Sequence, residues 1–400
     1  MRPVYLDNNA TTRVDPQVVA AMLPFFTEHF GNASSMHAFG AAVGGALKTA
    51  RQQVQSLLGA EFDHEIIFTS GGTESDNTAL LSALETQAGR DEIITTSVEH
   101  PAILSLCDHL EKSRGVKIHR IGVDSRGCLD IEAYRKALSS RTAIASVMWA
   151  NNETGTVFPV ETLAELAHEA GALFHTDAVQ AVGKIPMTLA KTEIDMLSLS
   201  GHKLHAPKGI GALYVRRGVR LRPFVRGGHQ ERGRRAGTEN IPAVVGLGKA
   251  AELAALSMND EQTRVKALRD RLEAGILASV GNCMVTGDVD NRLPNTSNIA
   301  FECIEGEAIL LLLNKEGIAA SSGSACTSGS LEPSHVLRAM NIPYTAAHGA
   351  IRFSFSRENT EQDVEQVLAA VPGIIANLRA MSPFWQGDGQ ASADFNPTYA

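Results

Sequence analysis

The chain has 400 residues, of which 44% are hydrophobic and 20% charged, and its formal net charge at pH 7 is −8. That length allows two domains with a sizeable core, and the acidic balance argues against a dedicated nucleic-acid binder, which carries a basic footprint. The opening MRPVYLDNNATT has no apolar segment of signal-peptide length, and the run AILLLL at 308–313 is far too short to span a bilayer, so a cytoplasmic location is expected.

From residue 65 to 216 one rhythm repeats. Short β-rich runs occur at EIIFTSG (65–71), EIITTSVEH (92–100), KIHRIGV (117–123) and TAIASVMWANN (142–152), then at ALFHTDAVQ (172–180), MLSLSGHK (196–203) and IGALYVR (210–216). Helical patterns such as SDNTALLSALETQ and PVETLAELAHEAG lie between them, the second opening at Pro159 and closing on Gly171 as capping preferences favour. The alternation predicts an α/β fold, a seven-stranded, mostly parallel sheet with helices on both faces. After about residue 258 the composition shifts to a charged helix, then RLPNTSNIAF and EGEAILLLLNKEG. This predicts a large domain over 14–258 and a smaller α+β domain formed by 259–400 with 1–13. Residues 384–400 lack periodicity and are expected to be a flexible tail.

Ligands of open parallel sheets bind at the carboxyl ends of the strands. Polar residues collect at those ends: Thr73, His100, Asn152, Asp177, Gln180, His202 and Lys203. A lysine closing an apolar strand, in SGHKLHAPKG (200–209), is either a surface loop residue or a chemically used amine. Asp177, one strand earlier in HTDAVQ, favours the second. An acid on a pyridine nitrogen with a lysine on the aldehyde is what pyridoxal phosphate enzymes require. SGGTESDN (70–77) turns through two glycines into a helix, a start suited to a phosphate dianion. No phosphate-binding loop of the G-x-x-x-x-G-K-[ST] type occurs, and GLGKAA (246–251), the one near match to a dinucleotide fingerprint, has no preceding β unit.

Five cysteines, Cys107, Cys128, Cys283, Cys303 and Cys326, include no C-x-x-C pair, so neither a zinc ribbon nor a redox dithiol is indicated. Cys326 differs from the others. It sits in SSGSACTSGS, a Ser/Gly-rich stretch with the composition of a flexible tether rather than of a packed thiol site.

Taken together, YLDNNATT, SGGTESDN, VEHPA, WANNETGT, HTDAVQ, SGHKLHAPKG, GGHQERGRRAGTEN and SSGSACTSGS resemble the group I cysteine desulfurases, of pyridoxal phosphate fold type I, over roughly residues 4 to 380. Within that family the likeness is to the enzymes of nitrogen fixation. The resemblance implies that Lys203 carries the cofactor, Asp177 pairs with its ring nitrogen, His100 stacks on the ring and assists proton transfer, and Gln180 contacts the ring hydroxyl. It assigns the phosphate to Gly72, Thr73, Ser200 and His202, with Thr238 from the second subunit of a homodimer. Asn152 and Arg352 would hold the substrate carboxylate, Asn152 also contacting the cofactor.

The implied reaction removes sulfur from L-cysteine, leaving L-alanine and a persulfide on Cys326. The sulfur goes to an iron–sulfur scaffold protein, and Cys326, in a mobile loop over 321–333, is the candidate metal ligand only as a transient cluster ligand shared with that partner. No lysine or arginine occurs between 316 and 337, so thiol activation is expected from the active site, from His100 or the cofactor. An aminotransferase of the same fold would need Lys203 and Asp177 but not Cys326. An RNA-binding use of the Arg/Gly loop 226–237 is the alternative from another class, disfavoured by the acidic balance and the absence of interleaved aromatics.

Overall fold

The computed structural model describes residues 2–322, 333–386 and 390–391. After a two-residue strand β1 (Val4–Tyr5), the seven expected strands are β2 (Ile66–Thr69), β3 (Glu92–Thr96), β4 (Lys117–Ile121), β5 (Thr142–Ser146), β6 (Leu173–Asp177), β7 (Met196–Ser200) and β8 (Gly211–Val215). They form one sheet in the order β2-β8-β7-β6-β5-β3-β4. All neighbours run parallel except β8, which is antiparallel to both β2 and β7. Every residue of β2, β3, β5, β7 and β8 is buried. Helices cover both faces, so these strands read as continuous Ile/Leu/Val/Thr runs instead of alternating.

Helix α1 (Ala38–Leu58) packs on α5 (Ile241–Asp260), while α2 (Gly72–Thr86), α3 (Pro101–Arg114) and α4 (Val160–Glu169) are sheet crossovers. The composition shift near 258 falls inside a continuous helical run. A π-helical turn, Glu261–Val265, joins α5 to α6 (Lys266–Ser279). One helix therefore serves two environments, its apolar first half against α1 and its charged second half on the smaller sheet. An 18-residue window of this run has a mean hydropathy of 1.4, yet half of that window is buried inside the fold.

The smaller sheet has the order β12-β10-β9, with β9 (Cys283–Val285), β10 (Thr296–Phe301) and β12 (Ala350–Ser354), all antiparallel. The N-terminal β1 pairs in parallel with β11 (Ile318–Ala319). Leu6, Leu268, Leu272, Ile299, Phe301, Phe353 and Val367 belong to a buried cluster of their own. The tail predicted over 384–400 falls mostly outside the described residues, as does Cys326.

The α1–α5 contact has no room for a methyl group at Gly248. A Cβ there would stand 2.5 Å from the Ala50 Cα. Gly248→Ala is expected to cost about 1–3 kcal/mol through forced separation of the two helices, read as a lower urea midpoint. An unchanged midpoint would mean the helices part without cost.

Candidate active site

A cavity of about 500 Å³ opens at the carboxyl ends of the central strands, the size of a small-molecule site. Its wall includes Gly72, Thr73, His100, Asn152, Asp177, Gln180, Ser200, His202, Lys203 and Arg352. The topology brings them together from strand ends that are distant in sequence. Thr238 is exposed and does not line this chain's cavity, and Cys326 lies outside the described residues.

At one end the chain leaves β2 and enters α2 through two glycines. A Cβ on Gly72 would stand 2.8 Å from Val179 Cγ2, so glycine is what lets this helix start close on the strand-end loop. Thr73, Ser200 and His202 complete the cradle. Burial, reinforced by the charges of Lys203 and Lys208, pushes His202 down to about 4, so its ring is neutral and can still donate one hydrogen bond. The arginine-rich loop braces the same helix. Arg235 Nε and Nη2 donate to Glu74 at 2.9 and 3.1 Å, while Glu231 accepts two bonds from Arg51 at 2.7 and 2.6 Å.

In the middle, Asp177 is buried, and the hydrogen bond found for it is the one it accepts from the Val179 amide at 2.9 Å. No cationic side chain among the described residues bonds it. Burial raises its pKa, and the nearby charges of His100 and Lys203 pull it back. A cationic ring nitrogen supplied from outside would complete this carboxylate. Lys203 Nζ donates to the Ala10 carbonyl at 2.7 Å and also to that of Asn9. Gln180 is oriented from behind: its Nε2 donates to the Asn9 carbonyl at 3.0 Å and its Oε1 accepts from Lys184 Nζ at 3.0 Å. His100 caps α3, accepting the Ala102 amide on Nδ1 at 3.1 Å.

At the far end, Arg352 is almost wholly buried. Its Nη1 donates to the Asn152 carbonyl at 2.9 Å and its Nη2 to Asp7 Oδ1 at 2.8 Å, leaving Nε without a partner. A bound carboxylate would meet a preset guanidinium here. The donor set thus fits a phosphorylated heteroaromatic aldehyde with an amino acid beside it: anion cradle, buried acid, strand-end amine and arginine, in that order along the cavity.

Pattern reading missed Asp7, Asn9, Ala10, Glu153, His335 and Arg338. The segment YLDNNATT was assigned to the smaller domain, yet its Asn9 and Ala10 line the cavity with Glu153, His335 and Arg338. The paired asparagines were the available signal, since two adjacent amides in a short extended segment need partners from elsewhere in the chain.

Two further acids near Asp177 are buried, Asp76, which also lines the cavity, and Glu99. Burial raises both, and the Asp177 charge raises them further. Glu99 Oε1 accepts from Thr96 Oγ1 at 2.8 Å and from the Met148 amide at 3.0 Å, and its carboxyl is pushed from 4.5 to about 8. The folded protein therefore holds a proton on Glu99 through a window where the unfolded chain has lost it, and this contribution to stability fades as pH rises from 4.5 towards 8. Glu99→Gln is expected to flatten the fall of the urea midpoint across that window. An unchanged slope would place the proton elsewhere.

The family model "Aminotransferase class-V" matches residues 4–367. A cysteine desulfurase of Gluconacetobacter diazotrophicus is 78% identical over 400 residues, covering 100% of both chains. The cysteine desulfurase NifS of Azotobacter vinelandii is 67% identical over 389 residues, covering 97% of this chain and 96% of the relative. Among solved structures, a NifS-like protein superposes with a TM-score of 0.88 at 38% identity, covering 94% of this chain and 100% of the other. SspA in complex with cysteine superposes at 0.77 with 34% identity, covering 88% and 98%. With nearly the whole chain matched in sequence and in fold, the protein belongs to the class-V aminotransferase family.

Proposed function

We propose that this protein is a cysteine desulfurase that uses pyridoxal 5′-phosphate to pass the sulfur of L-cysteine to Cys326, releasing L-alanine. The observation that carries the proposal is a buried Asp177 with no bonded cation among the described residues, facing a cavity that also holds Lys203. When bound, the cofactor supplies an electron sink for the bonds at the substrate's α-carbon. Asp177 keeps the ring nitrogen protonated. Gly72, Thr73, Ser200 and His202 hold the phosphate, and Gln180, fixed by Lys184 and Asn9, presents its amide to the ring hydroxyl. Lys203 would hold the cofactor's aldehyde end and is placed to move protons at the substrate. Arg352 and Asn152 fix the substrate carboxylate, and His100 covers the ring.

The thiol that receives sulfur is assigned to Cys326. The four described cysteines suit the task poorly: Cys107 is buried and pushed up to about 12, Cys128 is pushed up to about 11, and burial raises Cys283 and Cys303 as well. Both described ends flanking Cys326 meet the cavity. Ser321 exchanges backbone hydrogen bonds with Arg352, and Pro333 and Ser334 line the wall. Cys326 follows Ser321 by five positions, a contour of at most about 17 Å.

A homodimer accounts for two further features. Leu23, Phe26, Phe30, Met36 and Phe39 form an exposed apolar group on the N-terminal side of the fold, larger than isolated surface residues explain. Thr238, exposed in this chain, would enter the neighbour's phosphate cradle. The sulfur is destined for iron–sulfur cluster assembly on a scaffold protein, serving nitrogenase, in the cytoplasm.

Two variants test this. Cys326→Ala should keep the visible absorbance of the lysine-bound cofactor while alanine formation from L-cysteine falls by roughly 10³-fold or more, the scale of losing a nucleophile; retained turnover would return the protein to the aminotransferases. Lys203→Ala should lose both the absorbance and turnover, and persistence of either would remove Lys203 from its role.

A further inference from the structure

The buried amine of Lys184 does not line the cavity, yet it is bonded to a residue that does. Lys184 lies in the turn after β6, and its Nζ donates to Gln180 Oε1 at 3.0 Å and to Asn9 Oδ1 at 3.3 Å. Both acceptors are fixed in orientation. The Asn9 amide nitrogen is committed to the Asn152 carbonyl at 3.2 Å, so its oxygen is the atom that meets Lys184. Gln180 is bracketed in the same way. Its Nε2 donates to the Asn9 carbonyl, which only accepts, while its Oε1 receives the Lys184 amine. A flipped amide would set oxygen against that carbonyl and N–H groups against Nζ, replacing two bonds by two repulsions. Nε2 carries a second N–H. It has no partner among the described residues, and Gln180 lines the cavity.

Lys184 is itself gripped by the π-helical turn, Glu261–Val265, where an extra residue re-aims the side chains of a helix. Gln262 Nε2 donates to the Lys184 carbonyl. Glu261 is buried, one of its carboxyl oxygens has no partner among the described residues, and it shares a small cavity of about 20 Å³ with the Lys184 side chain. Burial pushes Lys184 down to about 7. The Glu261 charge pulls it back up, while Lys203 and Arg352 add to the fall. His205 beyond β7 and Arg357 after β12 are the other titratable or charged groups around that small cavity.

We propose that Lys184 is a positioning residue, locking the Gln180 amide with an N–H towards the cavity so that the oxygen of a bound hydroxypyridine ring is held deprotonated. This rests on the cofactor reading above. An amide N–H bonds most strongly to an oxyanion, and a bond made to the charged form favours that form. A flipped Gln180 would present an oxygen, which a protonated ring hydroxyl could donate to, and would favour the opposite state. The turn that joins α5 to α6 thereby helps to set the protonation of the ring, through Lys184 and then Gln180.

The test compares the cofactor-loaded wild-type protein with Lys184→Met, which fills similar space without a donor, and with Lys184→Met/Glu261→Gln, which also removes the acid left without its counter-charge. The visible band of the bound cofactor belongs to the deprotonated ring oxygen and the near-ultraviolet band to the protonated one. In both variants the ratio of near-ultraviolet to visible absorbance should rise at least about threefold, the scale of one lost hydrogen bond. Gln180→Ala should raise it too, and adding Lys184→Met to Gln180→Ala should raise it no further, since a residue that acts through another falls silent once that one is gone. A merely structural lysine would lower the melting temperature and leave the ratio where it was. That result, an additive rise in the Gln180→Ala background, or loss of fold or cofactor in both Lys184 variants would overturn the proposal. Wild-type protein that develops no visible band with the cofactor would instead sink the reading of the cavity beneath it.

Discussion

A carboxylate buried at the end of a β-strand, with no cationic side chain bonded to it among the described residues, organises this molecule. Asp177 shares its surroundings with Asp76 and Glu99, and burial raises all three. Only Asp177 is pulled back by the charges of Lys203 and His100, while Asp76 and Glu99 feel it as a repelling charge. The three cannot ionise together in a low-dielectric interior. Asp177 is the one of the three that nearby positive charges draw towards its anionic form, while Asp76 and Glu99 are pushed towards the neutral form, each with one carboxyl oxygen lacking a hydrogen-bond partner. Supplying the missing cation is what a protonated ring nitrogen would do.

The cavity is completed by segments that come from the far ends of the chain. Asn9 shows how. Its carbonyl accepts from Gln180 and Lys203, its Oδ1 accepts from Lys184 and Asn295, and its Nδ2 donates to Thr296 Oγ1 and the Asn152 carbonyl. One residue of an extended N-terminal stretch thus ties the amine, the glutamine and the smaller sheet to a common point. Arg352 does the same from the opposite side, anchored to Asp7 and to Asn152. The amino-acid end of the site is rigid because its walls are cross-braced between the two sheets.

Much of this was legible in the chain itself. The seven strands appear where the β-rich runs put them, because most are buried on both faces and must be written in apolar and β-branched residues, whereas the edge strand β4 leaves Lys117 and Arg120 exposed. Lys203, Asp177 and His100 stood out because an ionisable group closing an apolar strand has few structural uses. Other parts were hidden for physical reasons. The continuous helix through the π turn at 261–265 could not be read from a composition change at 258, since one helix with two environments looks like two elements. Glu153 and His335 join the cavity wall through single backbone and hydroxyl contacts that carry no periodic signature. Lys184 resembles any loop lysine until its burial is seen, which pushes it down to about 7.

The most direct test of sulfur transfer to Cys326 is the mass of the tryptic peptide that contains it, taken from cofactor-loaded protein after one turnover with L-cysteine and rapid trapping of thiols. The account predicts a gain of one sulfur atom on that peptide alone, matched by one alanine per active site. Alanine without added sulfur on Cys326, or sulfur on any of the other four cysteines in its place, would contradict it.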